Sequence, residues 1–362
     1  RRSSFFFGRK KRLEVCLLLL MCGVWCPGRV VGYRRYFRES TCLASTQRAF
    51  AAIKGDGSVV AWGDSSHGGD SSSIASSLQS GVVSISSTRG AFAAIKSDGS
   101  VVTWGPYGGN SSSVASSLQS GVVSISSTNR AFAAIKGDGS VVTWGDSSYG
   151  GDSSSVASSL QSGVVSISRT ERAFAAIKSD GSVVTWGDSS YGGDSSSVAS
   201  SLQSGVVSIA SNTYAFAAIK SDGSVVTWGN SSYGGSRSSS VASSLQSGVV
   251  SIASNTYAFA AIKSDGSVVT WGYSGNGGNS NSVASSLQSG VVSISSTVTA
   301  FAAIKSDGSV VTWGNSSYGG NSSSVASSLQ SGVVSISSTR LGAFAAIKSD
   351  GSVVTWGDPP TA

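Results

Sequence analysis

The chain has 362 residues, 46 of them glycine and only 4 proline, with 25 Lys and Arg against 18 Asp and Glu. Its net charge of +7 sits at one end: residues 1–40 hold ten Lys or Arg and two acids, Glu14 and Glu39, which leaves 15 basic and 16 acidic residues for the rest. That near-neutral remainder lacks the basic excess by which proteins neutralise phosphates in non-specific nucleic-acid binding, and the regular recurrence of Gly and Ser argues against a disordered low-complexity chain.

Residues 1–39 read as a leader foreign to the rest of the chain. Arg9, Lys10, Lys11 and Arg12 precede an apolar run from Val15 to Cys26, which Pro27 and Gly28 stop. A basic segment before a short apolar core is the grammar of a signal peptide or anchor. The run is too short to span a bilayer core of about 30 Å. A leader of no function fits as well, and the compartment stays open: secreted or membrane-anchored with a genuine leader, cytoplasmic or nuclear without one. Membrane contact is expected only through residues 9–26. All four cysteines, Cys16, Cys22, Cys26 and Cys42, precede the first hairpin, so no disulfide or thiolate framework is expected to hold the body together. Cys22 and Cys26 have a zinc-like spacing without a second pair.

Residues 40–48, STCLASTQR, look like a worn copy of VVSISSTRG, with Leu43 where Ile85 falls later. Then comes the segment that organises the chain. AFAAIKSDGSVVTWG, residues 173–187, has eight near-copies, beginning at Ala49, Ala91, Ala131, Ala173, Ala215, Ala258, Ala300 and Ala343. The steps are 42, 40, 42, 42, 43, 42 and 43 residues. A period in this range signals a solenoid, a propeller or an array. The segment predicts two strands. Phe174, Ala176 and Lys178 point one way and Ala173, Ala175 and Ile177 the other. Neither strand has a purely polar face, so both faces are expected to be covered. Asp180-Gly181 between them predicts a type I′ turn.

In the unit from Ala173 a loop, DSSYGGDSSS, follows the hairpin. VASSLQSG, residues 198–205, allows one helical turn or an extended run. VVSIA, residues 206–210, predicts a third strand, and the SSSV segment leaves room for a fourth. Stacking such units buries both apolar faces, and radial closure leaves only short protected edges. The fold expected is therefore all-β: a closed β-propeller of seven to eight blades, eight by repeat count, over residues 40–358, with a tail at 359–362. Trp62, Trp104, Trp144, Trp186, Trp228, Trp271, Trp313 and Trp356 recur once per unit and are read as packing between blades.

The repeated DGSVVTWG, the Gly-rich loop after it and the V-x-x-I strand before the next copy resemble the regulator-of-chromosome-condensation repeat. The likeness is to its short-repeat members, in the style of the propeller-type beta-lactamase inhibitory proteins, and covers residues 40–358. Two departures stand out: Ala173-Phe174 replaces the family's frequent His-Thr pair, and YGGD at residues 191–194 replaces its Gly-Gln-Leu-Gly loop. The resemblance implies a ring of blades, usually seven. It also implies roles as nucleotide exchange factors for small GTPases, ubiquitin-ligase modules, photoreceptors or protein binders. Exchange activity in the family uses inserted loops, for which units of 40 to 43 residues leave no room. A ligase role needs a further catalytic domain.

No catalytic constellation emerges. His67 is the single histidine and replaces a loop tyrosine of other units, whereas a general base needs an oriented partner. The Asp-Gly carboxylates are explained by turn formation. GGDSSSV echoes a calcium-binding repeat but lacks its further Gly and Asp. P-loop, HExxH and GxSxG motifs are missing. Asn110, Asn230, Asn315 and Asn321 lie in Asn-Ser-Ser sequons, which matter only in a secreted chain. No enzyme activity, cofactor or metal is expected.

The expected function is protein binding. Successive loops of an antiparallel meander alternate between the two ends of the strands. The loops before and after each hairpin therefore share one end, and the unvarying Asp-Gly turns occupy the other. Copies differ chiefly in the first set. Tyr and Arg, which anchor many interfaces, collect there, and Arg130, Arg172, Tyr191, Tyr214, Tyr233 and Tyr257 are the candidate contacts for a protein partner. Guanine-nucleotide exchange on a small GTPase, or substrate binding within a ubiquitin ligase, are the alternatives.

Overall fold

AFAAIK and VVTWG form neighbouring antiparallel strands, with Phe174 opposite Trp186 and Ile177 opposite Val183. The structure, a computed structural model, describes residues 42–236, 239–339 and 341–357. The leader, with its cysteine pair and basic run, and the tail lie outside the described residues. The rest is all-β, in eight three-stranded antiparallel sheets, one per repeat. Sheet 1 comprises Cys42–Ser45, Ala49–Ile53 and Val59–Gly63. Sheet 2 comprises Val82–Ser87, Phe92–Lys96 and Val101–Trp104, and sheet 3 Val122–Ser127, Ala131–Lys136 and Val141–Gly145. Sheets 4 to 8 begin at Val164, Val206, Val249, Val291 and Val333 and end at Gly187, Gly229, Gly272, Gly314 and Gly357. The worn segment is thus a genuine entering strand, with Leu43 opposite Ala52 as Ile85 is opposite Ala94.

The sheets fall into two units, one ending at Ser147 with sheets 1–3 and one starting at Ser148 with sheets 4–8. Within each, one face of a sheet packs on the opposite face of the next. Ala173, Ala175 and Ile177 of sheet 4 meet Phe216, Ala218 and Trp228 of sheet 5 in one core. The alanines are fully buried and let the backbones approach closely. The opposing Phe and Trp fill the remaining space, each buried aromatic stabilising by roughly 1.5–3 kcal/mol. In every sheet the Phe and Trp are stacked cross-strand partners, with ring centroids 5.0 to 5.5 Å apart. Seven of the eight repeat tryptophans are 5% exposed or less, and Trp62 of sheet 1 is half-buried.

Three local features differ from the sequence expectation. The Asp-Gly turn is not type I′, because only Gly181 has positive φ, at +75°. Gly181 N–H donates to Lys178 O, and Lys178 N–H to Ser182 O, each at 2.9 Å. This is a type I turn closed by a glycine bulge. Asp180 stays at negative φ because its Oδ1 accepts from both Ser182 N–H and Ser182 Oγ, at 2.9 and 2.6 Å. A Cβ on Gly181 would lie 2.7 Å from Gly205 N. The close approach lets Gly181 O accept from Val206 N–H at 3.0 Å, tying the turn to the next sheet.

The SSSV region forms no fourth strand. Ser196–Leu202 is a 3-10 helix that buries Leu202. Asp194 Oδ1 accepts from Ser196 N–H at 2.8 Å, an Asx turn that starts a helical turn. Finally, Val165 is a bulged residue between the pairs Val164–Lys178 and Ser166–Ile177. It is 60% exposed, as are its counterparts.

Candidate functional site

The two loops flanking each hairpin meet at one strand end. In sheet 4 the contact is Asp188 N–H to Arg172 O, 3.1 Å. A buried clamp fixes them more firmly. Thr170 Oγ1 donates to Tyr191 O at 2.9 Å and accepts from Ala173 N–H at 3.0 Å. Asn212 repeats the device in sheet 5: its Nδ2 donates to Tyr233 O at 2.6 Å, and its Oδ1 accepts from Tyr214 and Ala215 N–H, both at 2.8 Å. Asn255, Thr297, Thr88 and Thr46 do the same in their own repeats. Each clamp holds the carbonyl of a loop residue whose side chain varies between copies.

The clamped side chains interleave. Arg172 and Tyr214, each just before a hairpin, insert between the loop tyrosine of the preceding repeat and that of their own. In the second unit this makes one continuous row of stacked and tilted rings. The Arg172 guanidinium lies 4.8 Å from the ring centres of both Tyr149 and Tyr191. Tyr214 follows at 5.2 Å from Tyr191 and 4.4 Å from Tyr233, and Tyr257 at 5.4 Å from Tyr233. Tyr273 sits 6.2 Å from Tyr233 at the rim and is 49% exposed. The first unit carries a shorter version, with Arg130 5.0 Å over Tyr107 and His67 at 6.3 Å from the same ring.

The charges in this row are largely answered. Arg172 faces Asp188 at 3.8 Å and Arg130 faces Asp146 at 3.7 Å, partly exposed pairs worth little on their own. Burial raises the Tyr191 and Tyr214 phenols above the ordinary value of 10.0, so both hydroxyls remain hydrogen-bond donors at neutral pH. Tyr149 is buried, while Tyr191, Tyr214, Tyr233 and Tyr257 are half-buried. The row therefore offers ring edges and hydroxyls, not open ring faces.

Of the six candidate residues, the structure stacks Arg172, Tyr191, Tyr214, Tyr233 and Tyr257 together, and Arg130 pairs with Tyr107 in the first unit. Sequence reasoning missed Tyr149 as the other half of the Arg172 sandwich. It also missed the Thr and Asn clamps, although a Thr or Asn stands three residues before seven of the eight hairpins. His67 lies 3.3 Å from Asp64 through Nδ1, and Ser66 Oγ also approaches Nδ1 at 3.0 Å. Both contacts fall on one nitrogen, which is loop packing and not a relay. The Asp-Gly turns crowd the opposite strand ends, each with its carboxylate held by the serine two residues on. Among the described residues, no three His, Cys, Asp or Glu side chains gather in a way that could hold a metal ion. No described helix is long and apolar enough to cross a membrane.

No protein-family model matches the sequence, and no curated protein does. Among solved structures, the chain is similar to the computationally designed protein Ika8, at 14% identity over 88% of this chain and 96% of that one, TM-score 0.38. It is also similar to Prp20p of Saccharomyces cerevisiae, described with its binding to Gsp1p and histones, at 15% identity over 64% and 72%, TM-score 0.39. The WD40 ectodomain of the Arabidopsis thaliana receptor kinase ACR4 is similar at 17% identity over 76% and 98%, TM-score 0.37. Identity and superposition are both low, so the architecture rests on the chain's own eight sheets.

Proposed function

We propose that the chain is a non-enzymatic protein-binding scaffold of the regulator-of-chromosome-condensation type, and that its partner docks on the Tyr/Arg end of the sheets. The interleaved stack of Arg172 with Tyr149, Tyr191, Tyr214, Tyr233 and Tyr257 carries this reading. Tyr and Arg anchor interfaces because they bring large area and a polar tip at small entropic cost. Here their rotamers are already fixed by stacking, so binding would lose little side-chain freedom. Variation between repeats also collects at this end, while the Asp-Gly pair at the other end is the same in every repeat.

The test is affinity capture with quantitative comparison of variants. Partners retained by the wild type and by Asp180→Asn should be lost from a Tyr191→Ala, Tyr214→Ala, Tyr233→Ala triple variant. Equal loss with Asp180→Asn would place binding at the turn end and end the proposal. Stimulated nucleotide release from a small GTPase would replace the scaffold reading with exchange activity.

A further inference from the structure

The outer strand of sheet 7, Val310–Gly314, is a sheet edge. Its register decides which backbone groups face outward. Lys305 N–H donates to Ser309 O at 2.9 Å, and Asn315 N–H to Thr299 O at 3.0 Å. Between these bonds the pairs Ala303–Val311 and Phe301–Trp313 carry the ladder, because bonded and non-bonded pairs alternate in an antiparallel sheet. Val310 and Thr312 therefore turn their N–H and C=O groups away from the sheet, and among the described residues no hydrogen bond meets them. Sheet edges are commonly blunted by a charge, a proline or a bulge. VVTWG at 310–314 has none of these.

This edge lies in a groove of about 380 Å³. Ser282, Val283 and Ser286 of the 3-10 helix before the sheet line it too, with Gly320–Ser323 of the loop after it. Thr312 Oγ1 and Ser322 Oγ, 3.0 Å apart, join strand to loop. All these residues, and the sheets on either side, belong to the unit that starts at Ser148. Sheet 5 shows what such an edge accepts. There Val225, at the position of Val310, donates its outward N–H to Leu245 O at 2.9 Å. Val225, Val226 and Thr227 are 1%, 6% and 5% exposed, whereas Val310, Val311 and Thr312 are half-buried.

We propose that the edge of sheet 7 binds an extended segment of a protein partner as a fourth strand. Donors and acceptors that recur every second residue match extended backbone, which is how strand addition recognises a peptide. A second copy of the chain fits poorly, because its own edge is recessed in the same groove. The serines along the groove favour small or hydroxyl-bearing side chains on the segment. This site lies along the strand edge, apart from the Tyr/Arg end, and does not rest on it.

Fluorescence anisotropy of a labelled heptapeptide of alternating Thr and Val, titrated with the full chain, tests this. Anisotropy should rise to saturation, and the same peptide with every amide N-methylated should not bind. Thr312→Pro removes an outward N–H and no ladder bond, and should weaken binding by about tenfold. Ser286→Arg fills the groove from an exposed helix position. It should weaken binding at least as much, with the melting temperature unchanged. Four results would overturn the proposal. A lack of saturable binding means that the edge takes no added strand. Equal binding of the N-methylated peptide means that side chains, not backbone, are recognised. Binding that survives both variants lies on another surface. Self-association that Thr312→Pro abolishes, in a chain that ignores the peptide, makes a second copy the occupant.

Discussion

The indole N–H of Trp186 donates to the carbonyl of Gly150, 36 residues earlier, at 3.0 Å. The bond crosses from one sheet to the loop that precedes it, and five other tryptophans make it: Trp104, Trp228, Trp271, Trp313 and Trp356. Trp144 does not make it. Its Nε1 is buried without a hydrogen-bond partner. The acceptor expected by register is Gly108, in the loop two residues shorter than the others. There Tyr107 adopts φ +49° and Gly108 φ +111°, while Gly150 has φ +87°.

Trp186→Phe and Trp144→Phe should therefore differ, though both remove the same atoms. Trp186→Phe strands the Gly150 carbonyl, at about 1–3 kcal/mol beyond the packing loss. Trp144→Phe removes a donor that is already unsatisfied. Denaturant titration should show Trp186→Phe to be the costlier by about 1 kcal/mol or more. Trp186→Ala should cost about 3–5 kcal/mol, the range for emptying a large buried aromatic site. Equal costs for the two Phe variants would remove the hydrogen bond from the account of inter-sheet stability.

The repeat, its strands and the sidedness of its apolar residues were legible because they rest on local periodicity. Ala173, Ala175 and Ile177 share a face by strand geometry alone. The turn was misread because Asp-Gly fits two hairpin geometries, and the serine at 182 decides between them by bonding Asp180. The stack was half legible. Arg172 and Tyr191 stand 19 residues apart in sequence, and only the placement of one repeat beside the next shows that Tyr149 takes the other side of the guanidinium. Thr170 and Asn212 look like ordinary loop residues until their 21-residue reach to Tyr191 and Tyr233 is seen.

The turns make acid the weak side of the fold. Asp56, Asp98, Asp138, Asp180, Asp222, Asp265, Asp307 and Asp350 are all held below the ordinary aspartate value of 3.8, chiefly by hydrogen bonds from the serine two residues on. A depressed folded-state pKa gives stability that is present above the unfolded value and is lost as pH falls through the folded one. Chemical denaturation should thus show a loss of stability below about pH 4. Asp180→Asn keeps an acceptor oxygen but cannot titrate, so it should flatten this slope by one group's share. An unchanged slope would show that the turn carboxylates do not set acid stability.

The stack makes alkali the other weak side. Tyr191 and Tyr214 have raised folded-state values because burial disfavours phenolate. Their contribution is complete below the unfolded value near 10 and is lost as pH rises through the higher folded values. Phenolate absorbance should show late titration from Tyr191 and Tyr214, and Tyr214→Phe should remove its share while reducing the alkaline loss of stability. Ordinary titration of every tyrosine would mean that the stack is open to solvent.

The clamps offer a way to loosen the stack without touching a ring. Asn212 satisfies Tyr233 O and the N–H groups of Tyr214 and Ala215, so it positions two neighbouring rings of the stack through their backbones. Asn212→Ala leaves these groups without a partner in a buried setting and should cost about 1–3 kcal/mol. Asn212→Thr should recover most of that, because Thr170 spans the same gap in sheet 4, donating to Tyr191 O and accepting from Ala173 N–H. The tyrosine near-ultraviolet circular dichroism should follow the same order, weakening in the Ala variant and returning in the Thr variant. A loss of stability with the tyrosine signal intact would make Asn212 a support for the loops alone, and the order of the rings would then come from their stacking on one another.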